Sequence, residues 1–404
     1  MRGRARRSIC IVRHNYYPDT HVRRDAEALA QAGYEVTVIA LRRKGQPARE
    51  EINGVRVLRM PVEHRRGSPL RYLWEYTSFA LLAFLQVSWL HLIKRFDVVE
   101  VDNMPDILIF TALVPKLTGT PVVFYVFDNM PELLAYLKGL PADHPVVRAL
   151  GALESVAYKL ADQVIVTQEL PRRLALSRGA DPSRLTVVLN SADDAVFKPP
   201  EAARKDRDVF RIVTHGSILE RYGIQTLIDA LPIVLESVPN AELQIFGKGE
   251  YEHRLREQVA GLGLEGRVIF RGFVELEELL STLATADVGY VGMLNDLVLP
   301  NKLMEYVALG VPVVISRWET FERYFPEGAV AYFRPGDPQD LARVLVGLHR
   351  DPERRASMVK RASELYARYR WSEQRKVYLG VYEGLLAGSE SAPALDVARE
   401  VDAS

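Results

Sequence analysis

The sequence predicts an α/β protein built of two doubly wound, mostly parallel-sheet domains that face one another across a cleft. Three observations predict it. The 404 residues exceed one ordinary core and suit two domains of about 180–200 residues each. Short β-branched apolar runs alternate with amphipathic stretches of helical period, the order of a parallel sheet with helices on both faces. That series stops in a polar, proline-containing, charged segment at residues 190–208 (NSADDAVFKPPEAARKDRD) and then starts again.

In the first half, residues 9–12, 36–41, 55–59, 98–101, 122–125, 164–167 and 186–189 read as buried strands. Residues 23–32, 107–117, 145–160 and 171–178 read as helices between them. In the second half the strands fall at 211–214, 242–246, 268–270, 288–291 and 311–315, and the helices at 224–237, 251–260, 276–284 and 302–309. The expected division is a domain at 1–190, a linker at 191–208, a domain at 209–370 and an amphipathic helix at 371–387. The small, polar, acidic residues 388–404 are expected to be disordered.

Composition is that of a soluble globular protein, 48% hydrophobic and 26% charged, with 52 basic and 52 acidic residues. The balance hides an asymmetry. Residues 1–190 carry 26 Lys and Arg against 19 Asp and Glu, and the remainder 26 against 33. Either a basic first half faces an anionic acceptor or membrane surface, or the charges are scatter on a solvated face. The single cysteine, Cys10, lies in the apolar run Ile9-Cys10-Ile11-Val12 and reads as a buried, inert thiol. The apolar run after Arg2, Arg4, Arg6 and Arg7 is too short for a signal peptide, so a cytoplasmic protein is expected. Eight scattered histidines give no zinc spacing. No Walker A sequence occurs, and the turn expected after the first strand, Arg13-His14-Asn15-Tyr16-Tyr17-Pro18, lacks the glycines of a dinucleotide fingerprint. Neither a metal nor an organic cofactor is expected, and no nucleic acid. Residues 76–93 (YTSFALLAFLQVSWLHLI) contain no Asp, Glu, Lys or Arg and are flanked by basic residues. They suit a helix packed in the core or lying at a membrane surface better than a span.

Four segments carry candidate chemistry. His215-Gly216-Ser217-Ile218-Leu219-Glu220-Arg221-Tyr222-Gly223 joins a strand to a helix. Glycines there let backbone amides approach a phosphate, and Arg221 adds a charge-assisted contact. Gly247-Lys248-Gly249 closes the next strand. In Pro300-Asn301-Lys302-Leu303-Met304-Glu305, Lys302 and Glu305 share a helical face. A lysine at a helix start is unfavourable unless an anion sits there, and a carboxylate one turn in suits paired ribose hydroxyls. In Phe127-Asp128-Asn129, at the end of a first-domain strand, Asp128 is placed to orient or deprotonate an acceptor hydroxyl.

With these segments in order, the chain resembles the family-4 retaining glycosyltransferases of the GT-B fold, two Rossmann-like domains, over about residues 8–386. The resemblance rests on Asp19-Thr20-His21-Val22-Arg23-Arg24-Asp25-Ala26 and the following helix and strand, on Asn190, Asp193, Phe197 and Pro199, on Gly247 and Gly249, on Val268, Phe270 and Gly272, on Ala286-Asp287-Val288, and on Lys302, Glu305, Gly310, Pro312 and Val313. It implies a nucleoside-diphosphate sugar bound by Gly216, Arg221, Gly223, Gly247, Lys248, Gly249, Phe273, Asn301, Leu303 and Glu305, with Glu305 on the ribose. It implies Asp128 and Lys302 as catalytic residues and His14, Asp19, Arg23 and Asn103 on the acceptor side. The family works without a bound metal, so Arg221 and Lys302 would stabilise the departing diphosphate. Its C-terminal helix crosses back to the first domain. Departures are also visible. Ser217 and Tyr222 stand where the family often has Arg and Lys, Leu297 where it has the first of two glutamates, and Phe127 where it has a histidine. The expected function is transfer of a hexose or N-acetylhexosamine, with retention, to a hydroxyl acceptor that is lipid-linked or near the inner face of the cytoplasmic membrane. A nucleotide-sugar 2-epimerase and a silent scaffold at a membrane complex are the alternatives.

Overall fold

The computed structural model describes residues 7–18, 20–64, 67–199 and 208–387. It divides into two compact units, one comprising the chain through Asn190 together with Gln374 onward, the other Ser191–Glu373.

The first unit holds eight strands: β1 (Ser8–Tyr16), β2 (Glu35–Leu41), β3 (Arg49–Ile52), β4 (Val55–Met60), β5 (Val98–Asp102), β6 (Val122–Val126), β7 (Gln163–Val166) and β8 (Leu185–Val187). Their order across the sheet is β3-β4-β2-β1-β5-β6-β7-β8. All neighbours are parallel except β3 and β4. Successive side chains of β1 go to opposite faces, the two-residue period of a strand. Cys10 and Val12 enter one core with Phe79, Val99 and Phe124. Ile9 and Ile11 enter the other with Val36, Tyr125 and Tyr378. The long helix Pro69–Lys94 covers the first face and the helix Trp371–Ala387 contributes to the second. Burial of Cys10 pushes its thiol far above the usual range, so it is inert as a nucleophile at neutral pH.

The second unit holds β9 (Phe210–His215), β10 (Ala241–Phe246), β11 (Val268–Gly272), β12 (Val288–Val291), β13 (Val313–Ser316) and β14 (Ala331–Phe333), in the order β11-β10-β9-β12-β13-β14, all parallel. Ligands of such sheets gather at the carboxyl ends of the strands, here the ends of β9, β10 and β12.

Several expectations need correction. β1 continues to Tyr16, so His14 and Asn15, read as turn, are strand residues. The helix expected at 107–117 is a 3-10 turn, Asp106–Ala112, followed by the short helix Leu113–Leu117. Pro115 has no N–H for the carbonyl of Thr111, and it falls in the first turn of the short helix, where that loss is tolerated. The described part of the 191–208 segment is a packed turn on the second unit. Val196 and Phe197 donate from their N–H groups to the Asp193 carbonyl at 3.0 and 2.8 Å. Ser191 Oγ donates to the Tyr369 carbonyl, and the Asp194 carboxylate accepts from Ser372 N–H at 3.0 Å. Residues 200–207 and 388–404, where linker and tail were expected, lie outside the described residues.

Candidate functional site

The expected donor residues of the second unit meet at the ends of β9 and β10. Two close backbone crossings build the floor. A Cβ on Gly247 would lie 1.9 Å from the Gly216 carbonyl oxygen, and one on Gly223 1.8 Å from that of Gly292. Only glycine permits these approaches. Gly216 N–H donates to Phe246 O at 3.1 Å, Ile218 N–H to Lys248 O at 3.1 Å, and Gly247 N–H to Gly272 O at 2.7 Å. Gly249 lies equally tight under Ile218, 2.0 Å from its oxygen to an ideal Cβ. Tyr290 OH donates to Gly223 O at 2.7 Å and fixes the start of the helix Ile224–Ser237. Lys248 is exposed, as is Phe273 at 75%.

The helix Asn301–Ala308 starts beside this floor, and its N-cap residue, Pro300, supplies no side-chain cap. Lys302, Leu303 and Met304 are buried, Asn301 and Glu305 partly so. Leu303 points wholly into the core and its N–H donates to Pro300 O at 3.0 Å, so its side chain supports the helix and is not presented to a ligand. Glu305 is 19% exposed and its Oε2 lies 3.2 Å from His215 Nε2. Burial lifts the Glu305 carboxyl to about 7 against the opposing charge of Lys302. Burial pushes the Lys302 ammonium down to about 8, opposed by Glu305. His215 is pushed down to about 3, first by burial and then by Lys302, so it is neutral at physiological pH. Its ring stands edge-on to Tyr306, 5.0 Å between centroids, and Tyr306 OH donates to Val213 O at 3.2 Å. Sequence reasoning did not assign His215 a role. Its only signal was its position before Gly216.

Arg221 and Lys302 converge from different elements. Both lie over the ring of Tyr222, at 5.2 Å for the guanidinium carbon and 4.9 Å for the ammonium nitrogen. The turn is firm, because Leu294 N–H donates to Arg221 O at 2.9 Å. Two cations, one partly buried carboxylate and glycine-lined backbone suit a polyanion attached to a diol.

The first-unit candidates are more dispersed. Asn103 is a brace: its Oδ1 accepts from Phe127 N–H at 2.9 Å, and its Nδ2 donates to Asp128 O at 2.5 Å and Asp106 Oδ1 at 3.1 Å. It shapes the turn that carries Asp128, which is partly buried just before the helix Met130–Lys138. Phe127 is stacked on Tyr125 at 4.2 Å, with the Arg13 guanidinium 4.2 Å above its ring. His14 turns into the core, its Nε2 3.2 Å from the buried Glu75 carboxylate, edge-on to Tyr76 and Phe79. Burial pushes it down to about 4 against the pull of Glu75. His64 Nδ1 meets the same Glu75 oxygen at 2.7 Å. His14 thus packs against the helix Pro69–Lys94, and its approach to Glu75 was not visible in the sequence. Arg23 lies 3.9 Å from Glu27 on the helix Thr20–Gln31. Asp19 lies outside the described residues.

Fold and site together define a glycosyltransferase with two parallel-sheet domains. The glycosyl transferase 4-like domain family matches residues 18–191, and the glycosyl transferases group 1 family residues 209–351. A phosphatidyl-myo-inositol mannosyltransferase of Mycolicibacterium smegmatis is 35% identical over 375 residues, covering 90% of this chain and 89% of that protein. Among solved structures, a sucrose-phosphate synthase from Thermosynechococcus elongatus aligns with a TM-score of 0.78 at 20% identity, covering 95% of this chain and all of the other. Anabaena HepE in complex with UDP-glucose aligns at 0.69 with 17% identity, covering 94% and 99%. The chain belongs to the family-4, group 1 glycosyltransferases of the GT-B fold.

Proposed function

We propose that this glycosyltransferase moves a hexose or N-acetylhexosamine from a nucleoside-diphosphate sugar to a hydroxyl group, with retention of configuration, on a lipid-linked acceptor at a membrane surface. The observation that carries the donor reading is the convergence of Arg221, Lys302 and Glu305 on the glycine floor. Lys302 and Arg221 hold the diphosphate and stabilise the charge that develops as it departs. Glu305 accepts from the ribose hydroxyls. No metal is needed, because these two cations supply the countercharge. In a retaining transfer the leaving phosphate oxygen takes the acceptor proton on the same face, and Asp128 positions the reacting hydroxyl. The mannosyltransferase relative is named for phosphatidyl-myo-inositol, and HepE was solved in complex with UDP and glucose. The exposed apolar face of the helix Pro69–Lys94 and the basic first half support a lipid acceptor.

Calorimetric titration with UDP-, GDP- and ADP-sugars tests the donor reading, and the anomeric signal of the product by NMR tests retention. Glu305→Ala is expected to weaken donor binding by about 10- to 100-fold, the loss of one or two hydrogen bonds to a charged group. Normal transfer and unchanged donor affinity in Glu305→Ala would sink the ribose assignment. Absence of binding by every nucleotide sugar would favour a silent scaffold.

A further inference from the structure

Tyr222 occupies the place where the two site cations meet. The Arg221 guanidinium carbon is 5.2 Å from the centroid of its ring, and Lys302 Nζ is 4.9 Å from the same centroid. Arg221 Nη2 also donates to the phenolic oxygen at 3.4 Å. The buried Lys302 lacks the water that would solvate its charge. An aromatic face offsets that penalty, since its quadrupole attracts each cation.

The ring is carried on a fixed turn. Tyr222 N–H donates to Leu219 O at 3.0 Å and Gly223 N–H to Glu220 O at 3.0 Å. The backbone crossing of Gly223 with Gly292 leaves no room for the turn to shift on that side. Arg221 Nε is buried without a hydrogen-bond partner among the described residues, so the guanidinium is held by the ring and not by a carboxylate. A carboxylate partner would compete with a phosphate for the same charge; an aromatic ring leaves the N–H donors available to an anion.

We propose that Tyr222 is the positioning residue of the diphosphate site, its ring holding Arg221 and Lys302 so that both charges are in place before the donor arrives. This rests on the donor-site reading above and adds a residue which that reading does not contain. Tyr222 acts through the two cations and does not itself touch the reacting atoms. The gain is preorganisation: the two long side chains need not be ordered when the donor binds.

Calorimetry on the full chain with UDP and GDP, each compared with its monophosphate, tests the proposal, because the second phosphate isolates what the cation pair contributes. Tyr222→Phe keeps the π face and is expected to bind the diphosphates within about twofold of the unmodified chain. Tyr222→Leu removes the face and is expected to lose about tenfold in diphosphate affinity, with monophosphate affinity changed far less. Tyr222→Gln, similar in reach but without a π face, gives the same reading should the leucine variant not fold. A loss in Tyr222→Leu that Tyr222→Phe shares in full overturns the role of the ring. So does wild-type diphosphate affinity in Tyr222→Leu while Arg221→Ala and Lys302→Ala weaken binding; the donor site then stands without Tyr222. If Arg221→Ala and Lys302→Ala also bind diphosphates normally, the donor-site reading falls with it.

Discussion

Lys302 and Glu305 lie one helical turn apart, and burial drives their proton affinities toward each other. The carboxyl rises to about 7 and the ammonium falls to about 8. Donor capture needs Glu305 ionised, to accept from the ribose, and Lys302 charged, to meet the diphosphate. The free protein satisfies both only in a narrow interval. The value of kcat/KM for the donor, which reports the free enzyme, is therefore expected to fall below about pH 7 as Glu305 takes a proton and above about pH 8 as Lys302 loses one. Glu305→Gln should abolish the acid limb and keep the basic one. A profile flat from pH 6 to 9, or an acid limb that survives in Glu305→Gln, would show that other groups govern binding. At this scale the sequence was informative about the pair, because three-residue spacing on a helix is local information. It was silent on His215, which meets Glu305 at 3.2 Å from a strand 90 positions earlier, and on the two cations sharing the ring of Tyr222.

The helix Pro69–Lys94 divides cleanly by face. Glu75, Phe79, Ala83, Val87 and His91, four residues apart, are buried. Leu73, Trp74, Leu81, Leu85, Trp89 and Leu92 are exposed. By length and composition this helix could cross a membrane, yet one face belongs to the first-unit core, and Glu75 within it is held by His64. An exposed apolar stripe on a helix anchored in this way suits the boundary between headgroups and acyl chains. The full chain is expected to co-sediment with vesicles containing anionic lipid, less so at high salt. Trp89→Glu combined with Leu85→Glu should cut binding by more than about tenfold, since each buried apolar side chain is worth about 1.5–3 kcal/mol. Binding that is absent, or indifferent to both substitutions, removes the surface role. The apolar run was visible in the sequence, but its two faces were not, because large apolar residues lie on both. The strands show the same contrast. Central parallel strands are buried on both faces and read as continuous apolar runs. β3, with the sequence REEI, is an exposed antiparallel edge strand and carries no such run. β14 is three residues long and falls below any periodic signal.

For the whole molecule, the dependence of stability on pH is set by carboxyl groups that the two cores enclose. Asp106 is raised to about 8 by burial and then by the charge of Glu154, with Asn103 and Arg178 opposing. Glu154 is raised to about 7, chiefly by burial, although Arg178 donates to it at 2.6 Å. In the unfolded chain such groups ionise near pH 4. Between that value and the folded value the native protein holds protons that the unfolded chain has released, so stability falls as pH rises through the window. His14 and His215 act in the opposite sense, being lowered to about 4 and about 3 from 6.5, but their contribution is complete once pH exceeds 6.5. The interval from about pH 6.5 to 8 is thus governed by the buried carboxyls, and thermal stability is expected to decline across it. Asp106→Asn replaces the protonated carboxyl with a neutral group of the same shape that still accepts from Asn103. It should remove about 2 kcal/mol of that decline, 1.36 kcal/mol for each pH unit of differential protonation. Unfolding midpoints of the two proteins at pH 6.5 and pH 8 provide the measurement. The variant should match or exceed the unmodified protein at pH 8, and an unchanged slope would mean that Asp106 is ionised in the native state.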